Sequence, residues 1–256
     1  MSSYPNFAGK HAEEALFTAQ DFAAYLRRAG AVDDAQAPEA VILCYQRSLY
    51  QRVLNAEGLQ PGRQNGTPHG VRSLPSTGGT VGLLGDFGIG GPAAAASMED
   101  LAAFGVRRFV SIGTAGSLQR DLAPGAIVLC EAAIRDEGVS HHYLPPGRLA
   151  TPSPGLTAAL GTALAAPTRG TSWTIDAPYR ETVAEARQYQ AEGILCVEME
   201  AAALFAVAEV RGLEVASAFV ISDSLADLVW EPQFHGPEVS SGLTTLYEAA
   251  LAALAT

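Results

Sequence analysis

Short apolar runs alternate with helix-like segments along most of this 256-residue chain. Because a helix between two strands returns the chain over the sheet, this alternation favours a largely parallel sheet covered on both faces. We therefore predict one α/β domain over residues 1–256, a three-layer sandwich with a mostly parallel, twisted central sheet. The predicted strands are residues 40–44, 81–84, 108–112, 126–130, 171–175, 194–197 and 215–222, and the predicted helices are 13–29, 93–104, 156–165, 200–211 and 239–255.

Four glycine-rich or polar features follow predicted strands. They are the turn at 88–92, the turn at 113–116, the pair Glu198 and Glu200, and Ser222 with Asp223. In sheets of this kind, ligands bind beyond the carboxyl ends of the strands. We therefore expect the four features to meet in one binding site.

The composition narrows the class of partner. A net charge of −11 disfavours nucleic acid and anionic membranes, and 17% charged residues suggest extensive buried surface, inside the fold or between subunits. The polar residues Lys10, His11, Glu13 and Glu14 lie where a signal peptide needs an apolar stretch. No uncharged apolar run reaches the ~18 residues of a membrane span. We therefore expect a cytoplasmic protein with small-molecule partners.

The cysteines and histidines do not predict a metal site. Cys44, Cys130 and Cys196 lie far apart in apolar runs, as buried free thiols do. His141 and His142 are adjacent but lack a third ligand at suitable spacing. We expect no metal.

The carboxylates are the candidate chemical groups. At the end of an extended strand, Glu198 and Glu200 would share a face, where an ionised carboxylate can accept sugar hydroxyls. The alternative is a solvated pair before a buried helix. Asp223 ends an apolar strand and is placed to give a proton to a leaving nitrogen, or else to cap the next turn. The turn at 88–92 can hold an anion at a helix N-terminus, or serve tight packing.

Residues 193–203 read Gly-Ile-Leu-Cys-Val-Glu-Met-Glu-Ala-Ala-Ala, and Val-Ile-Ser-Asp follows at 220–223. These segments closely resemble the bacterial purine nucleoside phosphorylases and uridine phosphorylases. They are also similar to the methylthioadenosine/S-adenosylhomocysteine nucleosidases of the same superfamily. The glycine-rich segments at 88–92 and 112–116 resemble the superfamily in the same order. The resemblance covers roughly residues 80–250, and it implies a phosphorylase-like fold with a divergent N-terminal segment, 1–40.

The resemblance implies roles for the residues that match. Asp223 would be catalytic, protonating the base as it leaves. The ribose would be bound by Glu198, Met199, Glu200 and Thr114. The base would be bound by Ala115, Gly116, Pro178, Tyr179, Val197 and Ser222. Phosphate would be bound by Gly90, Ser111 and Thr114, with Arg47 and Arg72 as substitutes for arginines that are missing.

Those missing arginines are the main departure from the phosphorylases. Ser111 stands where they have an arginine, the Gly-Asp-Pro-x-x-Arg loop is replaced by residues 44–49, and no arginine follows Arg211. A hydroxyl in place of a guanidinium removes a charge and a bidentate donor. The glutamate with which the nucleosidases orient water is absent from residues 41–51 as well.

The sequence therefore predicts an enzyme of the pentosyltransferase type. It would be a nucleoside phosphorylase, releasing a free base, a purine on the strength of Asp223, and ribose 1-phosphate. Phosphate would be the co-substrate, with no cofactor. The resemblance also implies a homo-oligomer, a dimer or a trimer of dimers. Two alternatives stay open: a nucleosidase that uses water, and a nucleoside-binding protein without catalysis.

Overall fold

The computed structural model describes residues 5–32, 37–60 and 70–255. The strands are β1 Ala40–Cys44, β2 Arg72–Ser73, β3 Val81–Leu84, β4 Arg108–Ser117, β5 Ile127–Asp136, β6 Leu149–Ala150, β7 Thr168–Ile175, β8 Cys196–Glu198, β9 Glu214–Ser224 and β10 Glu231–Pro232. The helices are α1 Ala19–Arg28, α2 Arg47–Ala56, α3 Gly91–Ala103, α4 Ser140–Tyr143, α5 Pro154–Ala163, α6 Val183–Ala191, α7 Ala201–Arg211 and α8 Pro237–Leu254.

The strands form one sheet in the order β10-β9-β5-β7-β8-β4-β1-β3-β2, with β6 on β5. Strand β4 also pairs with β9, so β4, β9, β5, β7 and β8 close into a ring. The sheet is mixed, whereas a mostly parallel one was predicted. Antiparallel pairs arise where the end of β4 meets β8, where β5 meets β9, and at the short strands β2, β6 and β10.

The core lies on both faces of this sheet, which confirms the predicted layers. On one face α3 and α7 pack against the strands, with Met98 and Phe205 fully buried. On the other face α2, α5 and α8 pack, with Leu54, Leu160 and Leu246 buried. Burial on both faces explains why these strands read as unbroken apolar runs.

The predicted turn at 113–116 is wrong. Strand β4 continues through it to Ser117, paired with β9, and its register shifts between Ala115 and Gly116. Gly113 lies within this strand, and the ring of Tyr45 covers it closely. A Cβ at this position would lie 3.2 Å from Tyr45 Cδ2, which explains the glycine. The bulge carries the end of β4 across to β8.

The first helix begins later than predicted, and three others were not predicted. The Thr18 hydroxyl accepts from the amide of Asp21 and the Asp21 carboxylate accepts from the amide of Thr18, so α1 begins at Ala19 instead of residue 13. Leu16 and Phe17 lie outside it, exposed. Helix α2 buries Leu49, Tyr50, Val53 and Leu54 at helical spacing, whereas α4 is a single turn and α6 buries only Ala186. In the described residues no helix is long and apolar enough to cross a membrane.

Candidate active site

The junction between β8 and α7 is fixed by the carboxyl group of Glu198. Its Oε1 accepts from the hydroxyl of Ser172 at 3.0 Å and from that of Thr174, both on the neighbouring strand β7. Its Oε2 accepts from the amides of Glu200 and Ala201, each at 2.8 Å. Burial raises the pKa of Glu198. The group therefore caps the start of α7.

Glu200 is the N-cap residue of α7 and faces the glycine-rich turn before α3. Its Oε1 accepts from the amide of Gly90 at 2.5 Å, so this amide, predicted to hold phosphate, binds a carboxyl of the chain itself. Gly90 has φ +87°, which disfavours other residues. Met199 Cε lies 3.9 Å from where a Cβ on Gly90 would be. Burial and the charge of Glu198 raise the pKa of Glu200 to about 8.

Asp223 lies near the end of β9, held by two donors. The Ser222 hydroxyl donates to its Oδ1 at 2.7 Å, and the Trp230 indole Nε1–H donates to its Oδ2 at 3.0 Å. Gly116 leaves space beside it, because a Cβ there would lie 3.0 Å from Oδ2 and 3.3 Å from Val197 Cγ1. Ala115 is buried next to Gly116 in β4. Gly116, Val197 and Asp223 therefore meet, as the sequence predicted.

Two predicted base-binding residues are exposed and are not packed into this group. Pro178 and Tyr179 form an exposed 3-10 turn after β7, and the Tyr179 side chain is 97% exposed. The residue after this turn, Glu181, is half-buried instead. Burial and the charge of Asp223 raise the pKa of Glu181 to about 7. Sequence reasoning did not assign Glu181 a role.

The region after β1 supplies neutral polar groups. The Tyr45 hydroxyl lies 3.3 Å from the hydroxyl of Ser111, which is buried in β4. The Gln46 side-chain amide donates to Thr114 Oγ1 at 2.9 Å. Gln46 Oε1 is buried and has no hydrogen-bond partner. We name Tyr45, Gln46, Ser111 and Thr114 the β1–β4 polar cluster.

A family profile described as the Phosphorylase superfamily matches residues 62–252 of the chain. The chain belongs to this superfamily. The guanosine phosphorylase of Halorubrum lacusprofundi is 33% identical over 142 residues, 54% of this chain and 59% of that protein. The uridine phosphorylase of Haemophilus influenzae is 32% identical over 144 residues, 49% of this chain and 57% of that protein. The matched stretches thus cover less than two thirds of these relatives.

Solved structures share the superfamily fold over most of the chain. A purine nucleoside phosphorylase from Toxoplasma gondii, in complex with immucillin-H, superposes with a TM-score of 0.74 at 20% identity, covering 88% of this chain and 93% of that one. A uridine phosphorylase from Vibrio fischeri gives a TM-score of 0.65 at 24% identity with the same coverage. These likenesses confirm the predicted phosphorylase-like fold.

The two arginines predicted as substitutes in this superfamily member lie in different settings. The Arg47 side chain is 75% exposed and its Nε lies 3.7 Å from Asp86 Oδ1. Arg72 is buried in β2 near Tyr50, where burial raises the pKa of the phenol and the charge of Arg72 opposes that rise. Burial raises the pKa of the Tyr45 phenol, and the nearby carboxyls of Glu200 and Glu198 raise it further. The β1–β4 polar cluster thus faces acids.

Sequence reasoning assigned no role to Tyr45, Gln46 or Glu181, and it did not indicate the contact of Trp230 with Asp223. Tyr45 and Gln46 lie in the segment that replaces the family's Gly-Asp-Pro-x-x-Arg loop. The resemblance pointed to this segment but not to its contacts with Ser111 and Thr114. Trp230 follows Asp223 by seven residues in a loop, and only the fold brings its indole onto the carboxylate.

Among the described residues, no group of three or more His, Cys, Asp or Glu is arranged to hold a metal ion.

Proposed function

We propose that this chain catalyses the phosphorolysis of a nucleoside, with a free base and ribose 1-phosphate as products. The observation that carries the proposal is the junction of β8 and α7. There Glu200 is held at the glycine-rich turn before α3, and the adjoining Val197 lies beside Gly116 and Asp223. Phosphate is the co-substrate, and no cofactor takes part.

The sugar is assigned to the Glu200 side of this junction. The Glu200 carboxyl accepts from the ribose hydroxyls, and Met199 lies against the sugar as a soft apolar surface. Glu198 lies beside them and contributes by holding the start of α7 in place, since its oxygens already accept four hydrogen bonds from the chain. Thr114, held by Gln46, lies between ribose and phosphate.

The base is assigned to Asp223 and its surroundings. The bond between the sugar carbon and the base nitrogen breaks, and its electron pair goes to the base. Asp223 passes a proton to the base, while a phosphate oxygen attacks the sugar carbon. Val197, Ala115, Gly116 and Ser222 line the base, with Pro178 and Tyr179 covering it from outside. A proton-donating carboxyl favours a purine, and the relatives include both guanosine and uridine phosphorylases.

Phosphate is assigned to the space beside the β1–β4 polar cluster. Gly90 borders this space, but its amide donates to Glu200 and reaches phosphate only by leaving that carboxyl. Arg47 is the nearer candidate cation, since it begins α2 directly after Gln46. Arg47 reaches phosphate only if it leaves Asp86, and its exposure allows this. We assign Arg72 a supporting role at most, because it is buried in β2.

We also propose that residues 1–256 form one domain with a variable segment at 1–40, and that the chain works as a homo-oligomer. The family match begins at residue 62, which supports a distinct N-terminal part. Low charge content supports buried subunit surface. Sedimentation velocity would measure the oligomeric state, and a monomer at all concentrations would contradict it.

A panel of purine and pyrimidine nucleosides tests the function. Each is incubated with and without phosphate, and the released base is measured. Release that requires phosphate supports phosphorolysis. Release at the same rate without phosphate would overturn it in favour of hydrolysis, and binding without any release would overturn catalysis. The same assay of the variant Asp223→Asn tests the assignment of Asp223. Asp227→Asn, at an exposed carboxylate paired with Arg120, is its matched control.

A further inference from the structure

The β1–β4 polar cluster contains a buried acceptor without a donor. Gln46 Nε2 is committed to Thr114, while Gln46 Oε1 has no partner. Oε1 faces the bare backbone of Gly113, since a Cβ there would lie 3.8 Å away. A buried carbonyl oxygen is stabilised only when it accepts a hydrogen bond. An occupant of this space is therefore favoured if it brings a donor of its own.

The remaining groups of the cluster can donate, but they carry no charge. The hydroxyls of Tyr45 and Ser111 lie 3.3 Å apart, so they can turn together towards an oxygen. Gln46 is the N-cap of the ten-residue helix α2 and its side chain does not cap it, which leaves first-turn amides open. Together these donors suit an oxygen atom with at most a single negative charge.

The charged groups around the cluster are unfavourable to a second negative charge. Glu200 and Glu198 are buried carboxyls near the Tyr45 phenol, and burial raises the pKa of both, to about 8 for Glu200. Neither can neutralise a bound anion, and each would repel one once it is ionised. Burial raises the pKa of the Cys44 thiol to about 12, so it stays neutral. Arg47 on α2 faces solvent and Asp86. Like charges at close range repel strongly where water is excluded.

We propose that the β1–β4 polar cluster selects the singly charged, protonated form of phosphate over doubly charged oxyanions. One P–OH donates to Gln46 Oε1, and the unprotonated oxygens accept from Ser111 and Tyr45. This rests on the proposed function in one respect only, the placing of phosphate at this cluster. It makes Gln46 a specificity-determining residue for the nucleophile.

Direct binding measurements can compare singly charged phosphate with a doubly charged oxyanion. Sulfate serves as that oxyanion, because it has the shape of phosphate but stays doubly charged and carries no proton. Isothermal titration calorimetry of the whole protein at about pH 6 is expected to give binding of inorganic phosphate at least ~10-fold tighter than that of sulfate. Phosphate affinity is expected to fall ~10-fold by about pH 8, since phosphate loses a proton over this range. Equal binding of the two ions, tighter phosphate binding at the higher pH, or no phosphate binding would each overturn the proposal.

Gln46→Lys replaces the acceptor with a cation and sharpens the test. Gln46 is half-buried at a helix start, so this change is milder than one at the buried Ser111. The variant is expected to bind sulfate ~10-fold more tightly than the wild type does and to lose the pH dependence of phosphate binding. Gln20→Lys, at an exposed position of α1, is the matched control and is expected to change neither. Unchanged discrimination in Gln46→Lys would overturn the role of Oε1.

The outcome is separable from that of the proposed function. Selective phosphate binding with base release that ignores phosphate would leave the inference standing and overturn phosphorolysis. Base release can instead depend on phosphate and be inhibited by sulfate at the same concentrations at which phosphate supports it. That result would leave phosphorolysis standing and overturn the selectivity.

Discussion

The two sides of the candidate site differ in how they are built. The sugar-and-base side uses buried carboxyls, Glu200 and Asp223, each held by bonds from the chain. The nucleophile side, the β1–β4 polar cluster, is neutral and keeps an unpaired acceptor at Gln46. The first side carries the motifs by which the chain resembles the nucleoside phosphorylases, and the second departs from them. Recognition of nucleoside and of nucleophile can therefore be tested separately.

Asp223→Asn should produce the largest effect on the sugar-and-base side. The amide cannot donate the proton that the leaving base needs, so we expect kcat to fall by about 10²- to 10⁴-fold. Nucleoside affinity should change little, because Asp223 is assigned to the base and not to the sugar. Steady-state kinetics and direct nucleoside binding check this, with Asp227→Asn as control. A variant with full kcat would remove Asp223 from the chemistry.

The raised pKa of Glu200 predicts a dependence of stability on pH. Its pKa is about 8 in the fold, against the ordinary glutamate value of 4.5 that applies to the unfolded chain, so the folded chain binds a proton that the unfolded chain has released. This stability is fully present below about pH 4.5 and is lost as the pH rises through about 8, on the order of 5 kcal/mol in all.

Urea unfolding of the wild type and Glu200→Gln across this range measures it. The slope should be shallower in the variant and unchanged in Glu209→Gln, at an exposed position of α7. Identical slopes in all three proteins would show that Glu200 titrates as it does in the unfolded chain.

Glu200→Gln should also weaken the ribose contact. A hydrogen bond to a carboxyl oxygen that glutamine lacks contributes up to about 1.5 kcal/mol, so we expect KM for a ribonucleoside to rise by as much as roughly 10-fold. A nucleoside lacking the ribose hydroxyls should be affected much less. An equal loss for both substrates would place Glu200 away from the sugar.

Trp230→Phe should give the smallest effect, because at this exposed position the main loss is the indole N–H that donates to Asp223. One such bond contributes about 1 kcal/mol, which corresponds to a fall in kcat of roughly 5-fold with KM unchanged. If Trp230 acts through Asp223, the effect should vanish in an Asp223→Asn background. An additive loss in the double variant would assign Trp230 an independent role.

Strand-like runs allowed much of the fold to be predicted, since burial on both faces leaves long apolar segments such as those of β1 and β9. The course of β4 past Gly113 was not predictable, because its glycines read as a turn and only pairing with β9 extends the strand. The antiparallel contacts of β5 and β8 depend on the closed ring of strands, which no local pattern encodes.

The candidate site divides in the same way. Glu200, Met199 and Asp223 lie in continuous motifs, so the sequence indicated them directly. The contact between Gln46 and Thr114 spans 68 residues, and the bond from Gly90 to Glu200 spans 110. Such pairings are set by the sheet order and cannot be inferred from spacing along the chain.

The identity of the sugar product tests the central claim most directly. Phosphorus NMR of a reaction with nucleoside and inorganic phosphate follows the phosphate signal while the free base is measured in parallel. Phosphorolysis predicts one ribose 1-phosphate for each base released, and no base when phosphate is left out. Free ribose as the product, with the phosphate signal unchanged, would contradict the account.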